Sequence, residues 1–338
     1  TFCPMTPFKL FLKNPLATLY HLFVIHPYAM IRHCHPVWYF VANRESRKLY
    51  NQNRISLPPV SQRIAREFKN HGIAFSHLDE LFPGENMLIT LQEYTARLRA
   101  GAEMKNNGKQ FLQFLWDKIP VCDLANPFLN IMFRPEIHGI MNNYLGMWAK
   151  WYFFTLNVTI PVAEGSKPVQ SQRWHRDSDD KKVPKIFIYL NDVDEGAGPF
   201  MSVANSHYGG KWRYLFPQRP PHGSRAPWGA VEATIPKEEI RVCTGRAGTV
   251  VFCDTTTLHR GGYATTSERI MFTGVFASSA SYKYTLHQGM RMPRDIKASP
   301  LYAALSPAAR YAITPPEPSW LMRVLHPIRR HREAEKEY

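Results

Sequence analysis

Trp174-His175-Arg176-Asp177 is answered, 82 residues after Asp177, by His259-Arg260-Gly261-Gly262. On an extended strand residues i and i+2 point to one face, so His175 and Asp177 reach a common point while Arg176 faces away. A second histidine from a distant strand, folded back alongside, completes two imidazoles and one carboxylate. That donor set holds a non-haem Fe(II) ion and leaves coordination positions open. Ten residues after His259, Arg269 begins the strand-like run Arg269-Ile-Met-Phe-Thr-Gly-Val-Phe276. Its guanidinium is a fixed, always-charged fork suited to bidentate capture of a carboxylate. Iron with an anionic co-substrate beside it is the chemistry these four residues describe.

A lone His-x-Asp would carry little weight, because a satisfied structural histidine is as common as a ligand. The ordered set carries it: His-x-Asp on a strand, a Gly-rich segment midway, His-Arg-Gly-Gly at a strand end, then Arg.

The chain resembles the phytanoyl-CoA dioxygenase family of Fe(II)/2-oxoglutarate-dependent oxygenases. The likeness lies in Trp174 to Asp177, in Ile188-Tyr-Leu-Asn-Asp-Val-Asp-Glu-Gly-Ala-Gly-Pro-Phe200, in Ser206-His207, and in His259 with Arg269; Pro127 to Gly146 resembles the helix before the first core strand. It spans roughly residues 58–280. The resemblance implies that His175, Asp177 and His259 are catalytic iron ligands and that Arg269 clasps the far carboxylate of 2-oxoglutarate. By strand position, Asn157 and Phe187 are further candidates to line the co-substrate. The family often has Gln where Arg176 stands, which leaves the triad intact and puts substrate preference in question.

Two imidazoles and one carboxylate leave three positions, two for a bidentate 2-oxo acid and one for O2. Decarboxylation of 2-oxoglutarate to succinate and CO2 then drives hydroxylation of a C–H bond; binding and orientation are the protein's share. Halogenases of this kind replace the carboxylate by a small residue, so Asp177 favours hydroxylation.

The chain has 338 residues, 44% of them hydrophobic, enough for a substantial core. Its five cysteines show no Cys-x-x-Cys and no even framework, which points to a reducing compartment. Lys and Arg number 42 against 27 Asp and Glu, a net +15. Such a charge favours an anionic partner: nucleic acid, a phosphorylated substrate, acyl-CoA or anionic lipid. No zinc-finger spacing, helix-turn-helix cue or RNP-type motif supports nucleic acid. Within residues 1–50 only Glu45 is acidic, while Lys, Arg and aromatic residues interleave, and Ser319 to Arg332 repeats that blend. This is the composition of an interfacial anchor on an anionic membrane surface. The apolar run Leu16 to Ile31 is shorter than the ~20 residues that cross a bilayer. An apolar flap packed on the catalytic domain is the equal alternative.

The expected organisation is a basic, aromatic-rich extension over 1–57, a catalytic domain over 58–300 and a basic tail over 301–338. Helices are predicted over 61–68, 90–105 and from Pro135 to before Gly146. Strands are predicted over 72–76, 151–160, 170–177, 185–190, 249–252 and 269–276. This pattern indicates a mainly β fold with helical flanks around a double-stranded β-helix, a cupin-like jelly roll. The irregular stretch 207–240, rich in Pro, Gly, Trp and Arg, reads as a lid over the iron pocket. On that reading Lys211, Arg213, Arg219 and Arg225 are available to an anionic substrate, and Arg176 and Trp212 are further candidate substrate contacts. Asp179 to Lys182 read as a solvated turn.

The function expected is an Fe(II)- and 2-oxoglutarate-dependent dioxygenase hydroxylating an anionic or lipid-linked small molecule, such as the lipid-anchored sugar acid Kdo. It would be cytoplasmic, peripheral at the inner membrane face. A soluble acyl-CoA, nucleotide or natural product is the rival substrate, and a membrane-associated metal-binding protein without turnover the rival class. The oligomeric state is not legible.

Overall fold

The computed structural model describes residues 26–101, 105–106, 111–117, 119–163, 165–220, 222–281 and 289–314, with Pro15, Leu19, Leu22 and Phe23. Its strands are β1 Ile73–His77, β2 Lys105–Asn106, β3 Leu112–Phe114, β4 Lys150–Thr159, β5 His175–Arg176, β6 Pro184–Tyr189, β7 Phe200–Val203, β8 Ser224–Arg225, β9 Ile240–Cys243, β10 Thr249–Asp254, β11 His259–Arg260 and β12 Arg269–Ala277. They form two antiparallel sheets, a larger one in the order β1-β10-β6-β12-β4-β3-β2 and a smaller one in the order β8-β5-β11-β7-β9. From β4 to β7, and again from β10 to β12, successive strands alternate between the sheets. This is the winding of a double-stranded β-helix.

Period-2 alternation gives the larger sheet two different faces. Phe154, Leu156, Val158, Ile186, Ile188, Phe252, Phe272 and Phe276 pack outward on the helices Pro59–His71, Pro127–Met132 and Pro135–Leu145. Phe272 stacks on Phe128 at 4.8 Å, and truncating either to Ala would cost about 3–5 kcal/mol. Phe187, Tyr189, Val251, Cys253 and Met271 face the other sheet and form a second apolar cluster with Phe200 and Cys243. On β12 the register pairs Arg269 with Thr159 and Met271 with Asn157, so those four side chains share that inner face. At the turn into β7, Gly198 has φ +68°, and a Cβ there would lie 2.5 Å from the Ala264 nitrogen. Only glycine fits.

The predicted helices 61–68 and 135–145 and the strands 249–252 and 269–276 lie within observed elements, and the strands predicted over 72–76, 151–160 and 185–190 each overrun theirs by one residue. The predicted strand 170–177 is mostly not one: Gln170–Gln172 is a 3-10 turn and only His175–Arg176 pair as a strand. The helix foreseen over 90–105 runs Met87–Gly101, and Met104 lies outside the described residues.

The N-terminal extension packs on the domain through Trp38. This side chain is fully buried and donates its indole N–H to Asp180 Oδ1 at 2.8 Å. Asp180 also accepts from the Ser278 backbone N–H, and Lys181 Nζ donates to His33 O. Asp179 to Lys181 are therefore buried rather than a solvated turn, because they hold the extension to the core. The part of the C-terminal segment up to Thr314 packs as well: Ala309, Ala312 and Ile313 are buried, and Lys150 Nζ caps the carbonyls of Tyr311 and Thr314. The basic stretch 319–332 lies outside the described residues. No described helix is long and apolar enough to cross a membrane.

Candidate metal centre

Strand register alone places the two histidines. β11 pairs antiparallel with β5 so that His259 lies directly opposite His175. Opposed residues point to the same face with Cβ atoms about 5 Å apart, and the two rings lie 4.1 Å apart, centroid to centroid. Asp177 follows on that same face, its backbone N–H fixed to Thr255 O at 2.9 Å. Asp177 Oδ1 lies 3.7 Å from His175 Nε2, and Oδ2 lies 3.8 Å from His259 Nε2. One ligand atom from each of the three residues falls within 4.8 Å of the others.

Tautomer and charge suit a divalent metal. His175 Nδ1 bonds Arg173 O at 2.8 Å and His259 Nδ1 bonds Thr257 O at 3.0 Å. A carbonyl accepts only from N–H, so each Nδ1 carries the proton and each Nε2 offers a lone pair. Burial lowers His175 and takes His259 down to about 3, so both rings are neutral near pH 7. Burial acts to raise the Asp177 carboxyl, but the Lys185 ammonium, together with the neighbouring His259 and His175, holds the group well below the usual carboxylate range. Lys185 Nζ lies 2.6 Å from Asp177 Oδ2. The sequence reading missed Lys185. Its signal was a charge on the face of β6 otherwise given to Phe187 and Tyr189.

A carboxylate site exists on the larger sheet. Arg269 is buried and donates Nη2 to Thr159 Oγ1 at 3.2 Å with Tyr189 close by, while its Nε and Nη1 are buried without a hydrogen-bond partner among the described residues. Unpaired guanidinium N–H groups in an apolar surround cost free energy that a bidentate anion would recover. Tyr189, also missed, sits beside Arg269 and donates its hydroxyl to Cys243 O at 2.8 Å. Asn157 shares this face and accepts from Thr155 Oγ1 at 2.8 Å. Phe187 packs on Phe200 at 4.5 Å, and Phe200 lies 5.6 Å from the His259 ring. The donor set and the unpaired fork thus fit a divalent iron and a dicarboxylate held between the sheets.

The remaining candidates lie elsewhere. Arg176 points through to the outer face of the smaller sheet, where its five N–H groups meet the carbonyls of Ser206, Trp212, Leu215, Phe216 and Thr256. Trp212, Leu215 and Phe216 pack there against Trp174, Val203 and Leu258. Lys211 pairs with Glu239, and Arg213 donates to Gly210 O. The stretch expected to be a lid over the iron is therefore largely a buttress behind it, since alternation along β5 sends Arg176 away from His175. One part returns to the ligand side. β8 pairs Arg225 with His175, so Arg225 shares the histidine's face, and it is exposed. Gly223 permits this approach, because a Cβ there would sit 2.1 Å from Arg176 O.

No protein-family model matches the chain, and no curated protein is significantly similar to it. Among solved structures it is similar to the non-haem α-ketoglutarate-dependent epimerase SnoN from nogalamycin biosynthesis, at 16% identity and TM-score 0.49, over 66% of this chain and 82% of that one. It is similar to HygX from Streptomyces hygroscopicus, solved with nickel and 2-oxoglutarate, at 12% identity and TM-score 0.45, over 66% and 87%. It is also similar to EctD from S. alaskensis, solved with 2-oxoglutarate and 5-hydroxyectoine, at 15% identity and TM-score 0.46, over 68% and 80%. Likeness at this level assigns no substrate or reaction, and the chemistry rests on the residues described above.

Proposed function

We propose that the chain is an Fe(II)/2-oxoglutarate-dependent oxygenase of phytanoyl-CoA dioxygenase-like type. The carrying observation is the convergence of His175, Asp177 and His259, with the unpaired fork of Arg269 on the inner face of the larger sheet. His175 and His259 present Nε2 and Asp177 presents its carboxylate, while Arg269 orients the far carboxylate of 2-oxoglutarate. Asn157 lines the co-substrate, and Phe187 with Phe200 keeps water from the wall beside His259. When bound, iron with 2-oxoglutarate and O2 supplies the oxidation, which inserts one oxygen atom into a substrate C–H bond and releases succinate and CO2.

The substrate is an anionic small molecule. Arg225 supplies a cation on the His175 side, and the net charge of +15 favours anions. A lipid-linked sugar acid such as Kdo joins that charge to the apolar N-terminal surface. Leu22, Phe23, Met30, Ile31, Phe40 and Val41 are exposed, and Arg44 and Lys48 follow them. Such a mixture favours docking on an anionic membrane face. Because Trp38 ties this segment to the core, the membrane test is Phe40→Glu with Val41→Glu in the full chain. Flotation with anionic vesicles should weaken severalfold; unchanged flotation would refute docking through this surface.

The decisive experiment is anaerobic addition of Fe(II) and 2-oxoglutarate, watching for the visible charge-transfer band of an iron-chelated 2-oxo acid. O2 uptake and succinate release are then measured. No band from folded protein sinks the assignment; a band without succinate over prolonged aerobic incubation leaves a metal-binding protein without turnover.

A further inference from the structure

Behind the smaller sheet, on the side away from the ligand atoms, lies a cavity of about 530 Å³. Arg176, Lys181, Tyr208, Arg213, Tyr214 and Thr256 are among its walls, and no acidic residue is among the described residues that line it. We propose that this cavity is a binding site for a phosphate group, separate from the metal centre.

The cations differ in what they have left to give. Arg176 has all five N–H groups engaged by backbone carbonyls, so it contributes a fixed positive charge and no free donor. Lys181 Nζ uses one donor on His33 O at 2.7 Å and lies 4.0 Å from the Tyr208 ring centroid. Two ammonium hydrogens remain. Arg213 gives Nη1 to Gly210 O at 3.3 Å and rests over Tyr214 at 4.3 Å, which leaves the rest of its fork available. Thr256 Oγ1 is buried and has no hydrogen-bond partner among the described residues. Its hydroxyl, the ammonium and the guanidinium together are the donor set of an oxyanion pocket. Asp254 acts on Arg176 and Asp180 on Lys181 from outside the lining, while within the cavity the three cations meet no carboxylate, and an anion with two charges relieves their repulsion.

Tyr208 and Tyr214 add partly exposed ring faces, so the body attached to the phosphate is flat or apolar. Two sources meet that description: a soluble phosphomonoester and the headgroup of an anionic lipid. The wall includes His33, on helix α1 His26–His33, whose Met30 and Ile31 are exposed. Gln218, also in the wall, donates to the backbone carbonyls of Asp177 and Asp180. An occupant would thus touch the support of a metal-ligand strand without touching the metal.

The test uses the full chain at low salt, titrated calorimetrically with inorganic phosphate and with phenyl phosphate, and mixed with phosphatidic acid or phosphatidylcholine vesicles. Arg213→Glu reverses a charge on the rim, and Thr256→Val removes the buried hydroxyl; thermal melting reports their fold. Saturable binding that falls roughly tenfold in Arg213→Glu and severalfold in Thr256→Val supports the site. Binding to the soluble phosphates identifies a free phosphomonoester, and binding to phosphatidic acid vesicles alone identifies the headgroup. Binding to neither, or equal binding by folded variants, overturns the proposal. Metal and 2-oxoglutarate play no part in these readouts, so failure here is separable from failure of the oxygenase reading.

Discussion

Lys185 Nζ sits 2.6 Å from Asp177 Oδ2, so an ammonium on the larger sheet grips the carboxylate that directly follows β5 of the smaller one. The pair is largely buried, and each partner stabilises the other's charge against the cost of leaving water. The contact fixes the Asp177 rotamer opposite the two imidazoles. In Lys185→Met, affinity for Mn(II) or Co(II) should fall about tenfold, the usual scale for losing a partner of a metal ligand. A tighter site in that variant would mean that the ammonium opposes the metal instead.

Arg269→Ala should weaken 2-oxoglutarate at least tenfold in calorimetry on the metal-loaded protein, with little change in metal affinity. Its Nε and Nη1 have no other partner, so the effect belongs to the co-substrate. Equal losses of both ligands would remove the assigned role.

Arg176→Lys keeps a charge and loses the fork that gathers five carbonyls. Stability in urea should drop by roughly 2–4 kcal/mol, since buried carbonyls are left without donors. Proteolysis should then cut first within residues 207–220. If that stretch were a lid over iron, the variant would change co-substrate affinity and spare stability.

Burial lowers His138 to about 4 from its ordinary 6.5. A depressed base is neutral in both states above pH 6.5 and costs stability only as pH falls from 6.5 towards 4, where the unfolded chain binds the extra proton. His138 contributes about 3 kcal/mol to that loss. Melting temperature measured across this window should fall less steeply in His138→Gln; parallel curves would show that His138 is not the source.

Much of the fold was legible because its signals are local. The apolar, β-branched runs Lys185 to Tyr189 and Arg269 to Phe276, Pro135 at a helix start and Gly146 at its end are short-range chemistry written into neighbours. Strand alternation put His175 and Asp177 on one face and sent Arg176 to the other. The lid reading failed for the part from Trp212 to Phe216 because composition says that a loop will pack, not on which side of a sheet. Asp180 looked solvated for a similar reason: its partners, Trp38 and Ser278, are 142 and 98 residues away.

The sequence by itself determined the ligand types, their spacing along each strand and the basic balance, since those follow from covalent order and a two-residue repeat. Tertiary structure alone decided that β11 lies in register with β5, that Lys185 meets Asp177, that Arg269 keeps two donors free and that a cation-lined hollow lies behind the ligands. Those relations come from pairing between strands far apart in the chain. A slip of one residue in register would turn His259 away from His175 while leaving every local pattern unchanged.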